Sequence, residues 1–489
     1  MSFFTKYSKR YRKKFFVAVL FLTIEALSDL LQPTIMAEII DVGVANKQMD
    51  VVWHMGGFML LITAVGAVAA SIRNVISTTV SQQFGAELRS DLFRKIHSLS
   101  FENMNQFDPA SLVTRLTNDI NQVQVFVNGM MRIFVKAPLL CMGSLVMAVR
   151  LNSHLTLVLA VVVPIVCLLI VLNMKYGFPF FTKVQDALDH VNRVIREYLS
   201  GIRVVKAFHR FDYEMDKFNF ANKELQRRST SAMRVMSIFS PGIVLTVNAG
   251  IVAVLWIGGV RVNNGQMQVG HIIAFINYMT QILYSLMLIA MVFNWFVRAK
   301  ASAGRIGEVF AQENPMTWTN QPIETQGEKG RIDFEQVNFS YKGMNGDPIL
   351  KGITFTCMPG EWIGMIGSTG SGKSTLVNLI PRFYDVTSGT IKIDGIDIRQ
   401  QNPKYLRERM AIVPQKTMLF TGSVQENIRW GKENATFDEI QSVARMAEAH
   451  EFISSSPEGY ESRIGQGGIN FSGGQKQRLS IARALVRKP

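Results

Sequence analysis

Runs of about 20 uncharged apolar residues leave a chain few options, because backbone in hydrocarbon must satisfy its own hydrogen bonds and a helix does so within one segment. Four such runs stand out: Val51 to Ile72, Leu151 to Met174, Val235 to Val260 and Val262 to Val297. The last opens with the polar, turn-like VNNGQMQVG, which places its span at His271 to Val297. Two more complete a set of six. Phe15 to Ala37 is interrupted by Glu25 and Asp29, and Ala137 to Val149 reaches full length only by running back through Lys136 and Arg132. Composition agrees: 48% hydrophobic and 18% charged residues in 489, with mean hydropathy +0.16, exclude a disordered or fibrous chain. The length leaves room for two or three domains.

The connections alternate between short (42–50, 150–154, 261–270) and long (73–136, 175–234). Residues 1–14 and the long connections hold 25 Lys and Arg, the short ones three. Cytosolic segments carry the basic excess, so the N-terminus and the long connections are placed inside the cell. The net charge of +15 follows from this membrane bias and needs no nucleic-acid partner. KYSKRYRKK before FFVAVLFL has the opening of a signal peptide but no small-residue cleavage site after it, so a retained first span is expected. The long connections have helical apolar spacing and few Gly or Pro, as extensions of the spans; FENMNQFD (101–108) and DYEMDKFNF (212–220) are read as their turning points.

Residues 1–310 therefore form an α-helical membrane domain and the polar stretch 311–330 a linker. From 331 to 489 the runs IDFEQVNFSY, WIGMIG, GTIKIDG and MAIVPQ read as strands alternating with helices, an α/β domain. Three scattered cysteines (Cys141, Cys167, Cys357) and seven scattered histidines suggest neither a disulfide framework nor a metal site.

WIGMIG leads into Gly367, Ser368, Thr369, Gly370, Ser371, Gly372, Lys373, Ser374 and Thr375, then a helical run: GxxxxGK[ST] in the setting that motif requires. Glycines permit a nest of backbone N–H groups around phosphate, Lys373 reaches the β- and γ-phosphates, and the Ser374 hydroxyl can ligate Mg²⁺. Farther on, Ser472, Gly473, Gly474 and Gln475 open KQRLSIARALV, where Ser472 is an N-cap and the glycines expose N–H groups at a positive helix end. Two phosphate-type sites in one small domain suggest that one serves a partner's nucleotide.

Six spans, linker, Walker A loop, VPQ and SGGQ followed by IARAL resemble, over the whole chain, a half-transporter of the ABC exporter family with the type-I exporter fold. The resemblance implies a dimer with two ATP molecules, each between the P-loop of one subunit and the SGGQ of the other. It assigns Tyr341 of FSY to adenine stacking and Gln415 of VPQ to Mg²⁺ and the attacking water. It makes the two turning points coupling helices. ATP and Mg²⁺ are the implied cofactors, and a second half-transporter, membrane lipid and a small hydrophobic substrate the implied partners.

Three departures qualify the resemblance. The sequence stops at Pro489, fourteen residues after Gln475, so the Walker B acids, D-loop and switch His are expected to be missing from a C-terminally truncated ATPase domain that lacks its own catalytic carboxylate. Gly465-Gln466-Gly467-Gly468 stands where many exporters have Glu-Arg-Gly, and Phe471 replaces a Leu. The second departure resembles the degenerate-site subunit of heterodimeric bacterial multidrug exporters. Glu25 and Asp29, one turn apart in the first span, are candidates to attract a cationic substrate, with pairing to Arg132 or Lys136 as the alternative. The expected function is ATP-driven export of hydrophobic or amphipathic compounds, cationic ones included, across a bacterial plasma membrane. A lipid flippase and a non-pumping nucleotide-gated subunit are the rival readings.

Overall fold

The computed structural model describes residues 2–314, 316, 323, 330–341 and 348–489. Most of the expected linker, 311–330, lies outside the described residues. By internal contacts the chain divides into two units, Met1–Lys95 with Ala110–Ala311, and Ile96–Pro109 with Gln312–Pro489.

The first unit is helical. α1 (Ser2–Glu38) and α2 (Met49–Ser98) are followed by α3 (Phe101–Met104) of the second unit. α4 (Pro109–Thr114), α5 (Ile120–Gly129) and α6 (Lys136–Leu151) form one helical path broken by π turns at Arg115–Asp119 and Met130–Phe134. α7 (Thr156–Ser200), the short α8 (Ile202–Ala207), α9 (Phe211–Asn263) and α10 (Val269–Ala311) complete it. Six of these helical paths are long and apolar enough to cross a membrane, the third being Pro109–Leu151. The short run Ala137 to Val149 thus gains its length through Lys136 and Arg132, because the helix continues through a π turn where an ordinary helix end would have stopped it.

The second expected turning point is corrected. Residues 212–220 lie in the first turns of α9, and the chain reverses at 201–210 instead. Gly201 closes α7, and His209 takes φ +51°. DYEMDKFNF has no breaker, and Asp212 and Glu214 sit in the first turn, where the helix dipole favours acids.

Apolar side chains of α1, α6, α7, α9 and α10, among them Leu30, Leu140, Leu159, Val254, Phe275 and Met279, form the core of this unit. Tyr278 is fully buried within it and its hydroxyl donates to the Leu30 carbonyl at 2.6 Å, so the polar tip is not stranded. In the π turn Ile39–Val44 that follows α1, Asp41 accepts from the Gly270 N–H at 2.5 Å. A Cβ on Gly270 would stand 2.4 Å from the Ala37 carbonyl oxygen, so only glycine allows this approach.

In the second unit, β1 (Ile332–Phe339) is the centre of an antiparallel sheet ordered β2-β1-β3-β4, with β2 at Leu350–Cys357, β3 at Ser388–Ile393 and β4 at Ile396–Asp397. Phe334 faces Phe355 across β1 and β2, their rings stacked at 4.6 Å, and pairs with Ile391 on the other side. α11 (Lys373–Leu379) packs Leu376 and Leu379 on this sheet, beside α12 (Pro403–Glu408) with Leu406. A separate helical core joins α13 (Val424–Arg429), α14 (Phe437–Met446), α15 (His450–Ser454) and α16 (Gly473–Leu485) through Ile428, Ile440, Ile453 and Leu479.

Two expected strands are absent. WIGMIG and MAIVPQ have no ladder partner among the described residues, and Trp362 and Ile366 are fully exposed. Such continuous apolar runs suit strands flanked on both sides, and no described segment flanks either. β2, in contrast, escaped the sequence reading although ITFTC alternates as a half-buried strand does.

Candidate nucleotide-binding site

Phosphate-loop geometry begins with two glycines in the left-handed region. Gly370 has φ +86° and Gly372, the residue before α11, φ +88°. Gly372 is also pressed on the start of β2: a Cβ there would stand 2.9 Å from Leu350 Cδ2 and 3.1 Å from Ile349 Cγ2. Lys373 folds back over the loop, its ammonium donating to the carbonyls of Gly367 at 2.9 Å and Ser368 at 2.8 Å and to Ser371 Oγ at 3.3 Å. The ammonium thus holds the loop in a ring shape, with Thr369 and Ser374 exposed on it. A phosphate fits this donor set, since the loop offers backbone N–H groups, open space beside Gly370, one ammonium and a free hydroxyl.

Thr375, the next residue, is buried, and its hydroxyl lies 3.3 Å from that of Tyr341. Tyr341 follows β1 and meets Phe339 at 4.8 Å and Tyr384 at 5.1 Å, both edge-to-face. The structure therefore brings Tyr341 to the helix after the loop. Gln415 lies in an exposed bend, its side chain without a hydrogen-bond partner among the described residues. No group of three or more His, Cys, Asp or Glu that could hold a metal occurs among the described residues.

The signature segment is built separately. Ser472 caps α16 in a reciprocal box: its Oγ accepts from Gln475 N–H at 3.3 Å, and Gln475 Oε1 accepts from Ser472 N–H at 2.8 Å. Gly473 and Gly474 are exposed with open space where a Cβ would be. Upstream, Gly467 and Gly468 take φ +63° and +69°, and Lys476 donates to the Gly467 carbonyl at 3.0 Å. Within the run Gly465 to Gly468, Gly467 and Gly468 thus make a tight left-handed turn that a side chain at either position would strain.

Sequence reasoning missed an aromatic contact in this unit. Phe101 of α3 packs on Phe383 with ring centroids at 4.6 Å, and Asn105 donates to the Tyr384 hydroxyl at 3.0 Å. Tyr384 also touches Tyr341, so the segment 101–105 is one residue removed from the candidate adenine contact. The RFY run after the P-loop helix was the available signal.

In the first unit, Glu25 is met by Lys136 Nζ at 2.6 Å and by Arg73 Nε at 2.8 Å, the latter a close ion pair without a directed hydrogen bond. Lys136 also bridges to Asp29 at 2.8 Å. The two acids are thus matched by two bases, and Arg73, not Arg132, is the second. A lone arginine directly after the run Val51 to Ile72 was its signature in the sequence.

Residues 15–286 match the family described as ABC transporter transmembrane region, and residues 350–489 that described as ABC transporter. The chain belongs to the ABC transporter family. An uncharacterized ABC transporter ATP-binding protein of Bacillus subtilis (strain 168) is 39% identical to this transporter over 473 residues, 97% of this chain and 82% of the relative. Another, of Mycobacterium tuberculosis (strain ATCC 25618 / H37Rv), is 38% identical over 483 residues, 98% and 82%. A fatty acid ABC transporter ATP-binding/permease protein of Mycobacterium bovis is 33% identical over 410 residues, 83% and 64%. The transporter has the half-transporter architecture of the exporters, a six-helix transmembrane region fused to an ATPase domain, and is a multi-pass membrane protein.

Proposed function

We propose that this half-transporter pairs with a second half-transporter and uses ATP to export hydrophobic or amphipathic compounds. The observation that carries the reading is the Lys373-braced glycine loop in the same chain as six membrane-length helices. Tyr341 and Gly367 to Thr375 bind the nucleotide, Ser374 and Gln415 serve Mg²⁺, and Ser472 to Gln475 face the partner's ATP. The metal neutralises phosphate charge when bound, and Lys373 exchanges its loop carbonyls for phosphate oxygens. The excess of Lys and Arg supports a cytosolic N-terminus and ATPase domain in a bacterial plasma membrane.

The run Gly465-Gln466-Gly467-Gly468 in place of Glu-Arg-Gly supports a heterodimer in which this subunit contributes a slow site and completes the partner's active one. A preference for cations loses its basis, because Arg73 and Lys136 neutralise Glu25 and Asp29. That favours a broader, multidrug-type or lipid-like range, and the name of the mycobacterial relative points the same way. The test is uptake into inverted vesicles by the full-length protein with its partner. ATP-driven accumulation that is lost on Lys373→Ala supports the reading; accumulation that survives it refutes the site. A gate without accumulation would make this a regulatory subunit.

A further inference from the structure

Among the described residues, the third span carries a cation that no carboxylate answers. Glu25, Asp29, Arg73 and Lys136 balance one another, two acids against two bases. Arg132, one turn before Lys136 in the π turn Met130–Phe134, has neither ion pair nor side-chain hydrogen bond among the described residues. Only its carbonyl is used, by Arg73 Nη1 at 3.4 Å. The cluster therefore holds a surplus of one positive charge, carried by the exposed Arg132 in a membrane helix, where ionisable groups are rare and generally functional. The π turn itself, an insertion into the helix, is of the kind that recurs at functional sites.

The helices that carry this cluster also wall a cavity of about 770 Å³, within the roughly 300–1,000 Å³ usual for small-molecule sites. Leu27, Leu31, Phe134, Pro138, Met142 and Val146 line it, and no polar side chain does. Asp29 lies between Leu27 and Leu31 on α1, and Lys136 between Phe134 and Pro138. Their ion pair therefore spans the two walls at the level of the cavity. The pair is also the accessible half of the cluster: the Lys136 and Asp29 side chains are 21% and 34% exposed, those of Arg73 and Glu25 7% and 10%.

We propose that this groove binds a single-chain anionic amphiphile, a long-chain carboxylate, with its tail among Leu27, Leu31, Met142 and Val146 and its head on Arg132 and Lys136. One apolar groove matches one chain, and one surplus charge matches a monoanionic head. A cationic head would meet that surplus unfavourably. The inference rests on the transport reading above and names a substrate class for it.

The test uses the purified full-length transporter in nanodiscs without ATP and three photoreactive probes, hexadecanoate, hexadecanol and hexadecyltrimethylammonium, with the labelled peptide mapped. Hexadecanoate should label residues 134–146 at roughly tenfold lower concentration than hexadecanol, the size of one charge-assisted contact. Arg132→Gln should bring hexadecanoate to the level of the alcohol without changing the alcohol, and Arg132→Lys should restore the difference. Met142→Trp should weaken labelling by all three.

Equal or stronger labelling by the ammonium probe overturns the proposal, as does a carboxylate preference that survives Arg132→Gln. Labelling that falls on a partner subunit, or that bilayer phospholipid abolishes, assigns the groove to another occupant and also overturns it. ATP-driven uptake without this labelling removes the site alone, and labelling without uptake removes the transport reading alone.

Discussion

Glu25→Gln tests whether the buried charges of the first span are a balanced set. The Glu25 and Arg73 side chains are 10% and 7% exposed, so little water reaches either. After the substitution Lys136 keeps Asp29 at 2.8 Å, whereas Arg73 keeps only the Arg132 carbonyl at 3.4 Å. The cost falls on a buried guanidinium without its carboxylate, about 3–5 kcal/mol. Arg73→Met should cost less, about 1.5–3 kcal/mol, because Glu25 retains Lys136 at 2.6 Å. Combining the two removes both members of the pair, and the double variant should be more stable than the sum of the single costs by about 2 kcal/mol. Equilibrium unfolding of the full-length protein in mixed micelles, followed by circular dichroism as dodecyl sulfate is raised, measures all three. Additivity within about 0.5 kcal/mol, or a Glu25→Gln cost no larger than that of Arg73→Met, would refute the reasoning.

Gly372→Ala should destabilise the ATPase domain more than Gly370→Ala. Both glycines carry the left-handed backbone cost of about 1–2 kcal/mol, but only Gly372 adds a clash with Leu350 and Ile349, about 1–3 kcal/mol. Thermal unfolding of the full-length variants checks the order, and equal costs would mean that the clash relaxes away. Acid should weaken the second unit: burial opposes ionisation of Asp394, but hydrogen bonds from Arg409 and the Arg331 N–H outweigh it and hold the carboxyl below its usual range. Its contribution is therefore present above the unfolded value of about 3.9 and lost as pH falls through the depressed one. Asp394→Asn should flatten the stability profile in that window, and an unchanged profile would exclude this group as a cause. Tyr384→Phe removes the acceptor of Asn105, worth about 0.5–1.5 kcal/mol. Amide exchange across 101–107 should quicken by roughly twofold to tenfold, and unchanged exchange would show that Phe101 and Phe383 suffice.

Much of the fold was legible because two signals are local. Six membrane helices follow from hydropathy alone, since a span satisfies its backbone within one segment. The glycine loop follows from spacing, because φ near +86° at Gly370 and Gly372 admits little else. Strands were less legible. WIGMIG and MAIVPQ have the composition of buried strands, yet a strand exists only through its ladder, and none forms beside them among the described residues. The second turning point was misplaced by some ten residues because polar DYEMDKFNF resembles a loop in composition, whereas its two early acids stabilise a helix start.

By itself the sequence determined which segments could enter a bilayer and which loop could hold a phosphate. Both depend on residues close together along the chain. Only the tertiary structure decided what Glu25 and Asp29 do, because their partners stand 48 and 111 residues from Glu25 along the chain, at Arg73 and Lys136. The same folding left Arg132 without an ion pair among the described residues and matched Glu25 and Asp29 with bases, which removes the expected attraction for cations. Charge in a low-dielectric interior is a property of the set of neighbours, and that set is fixed by packing.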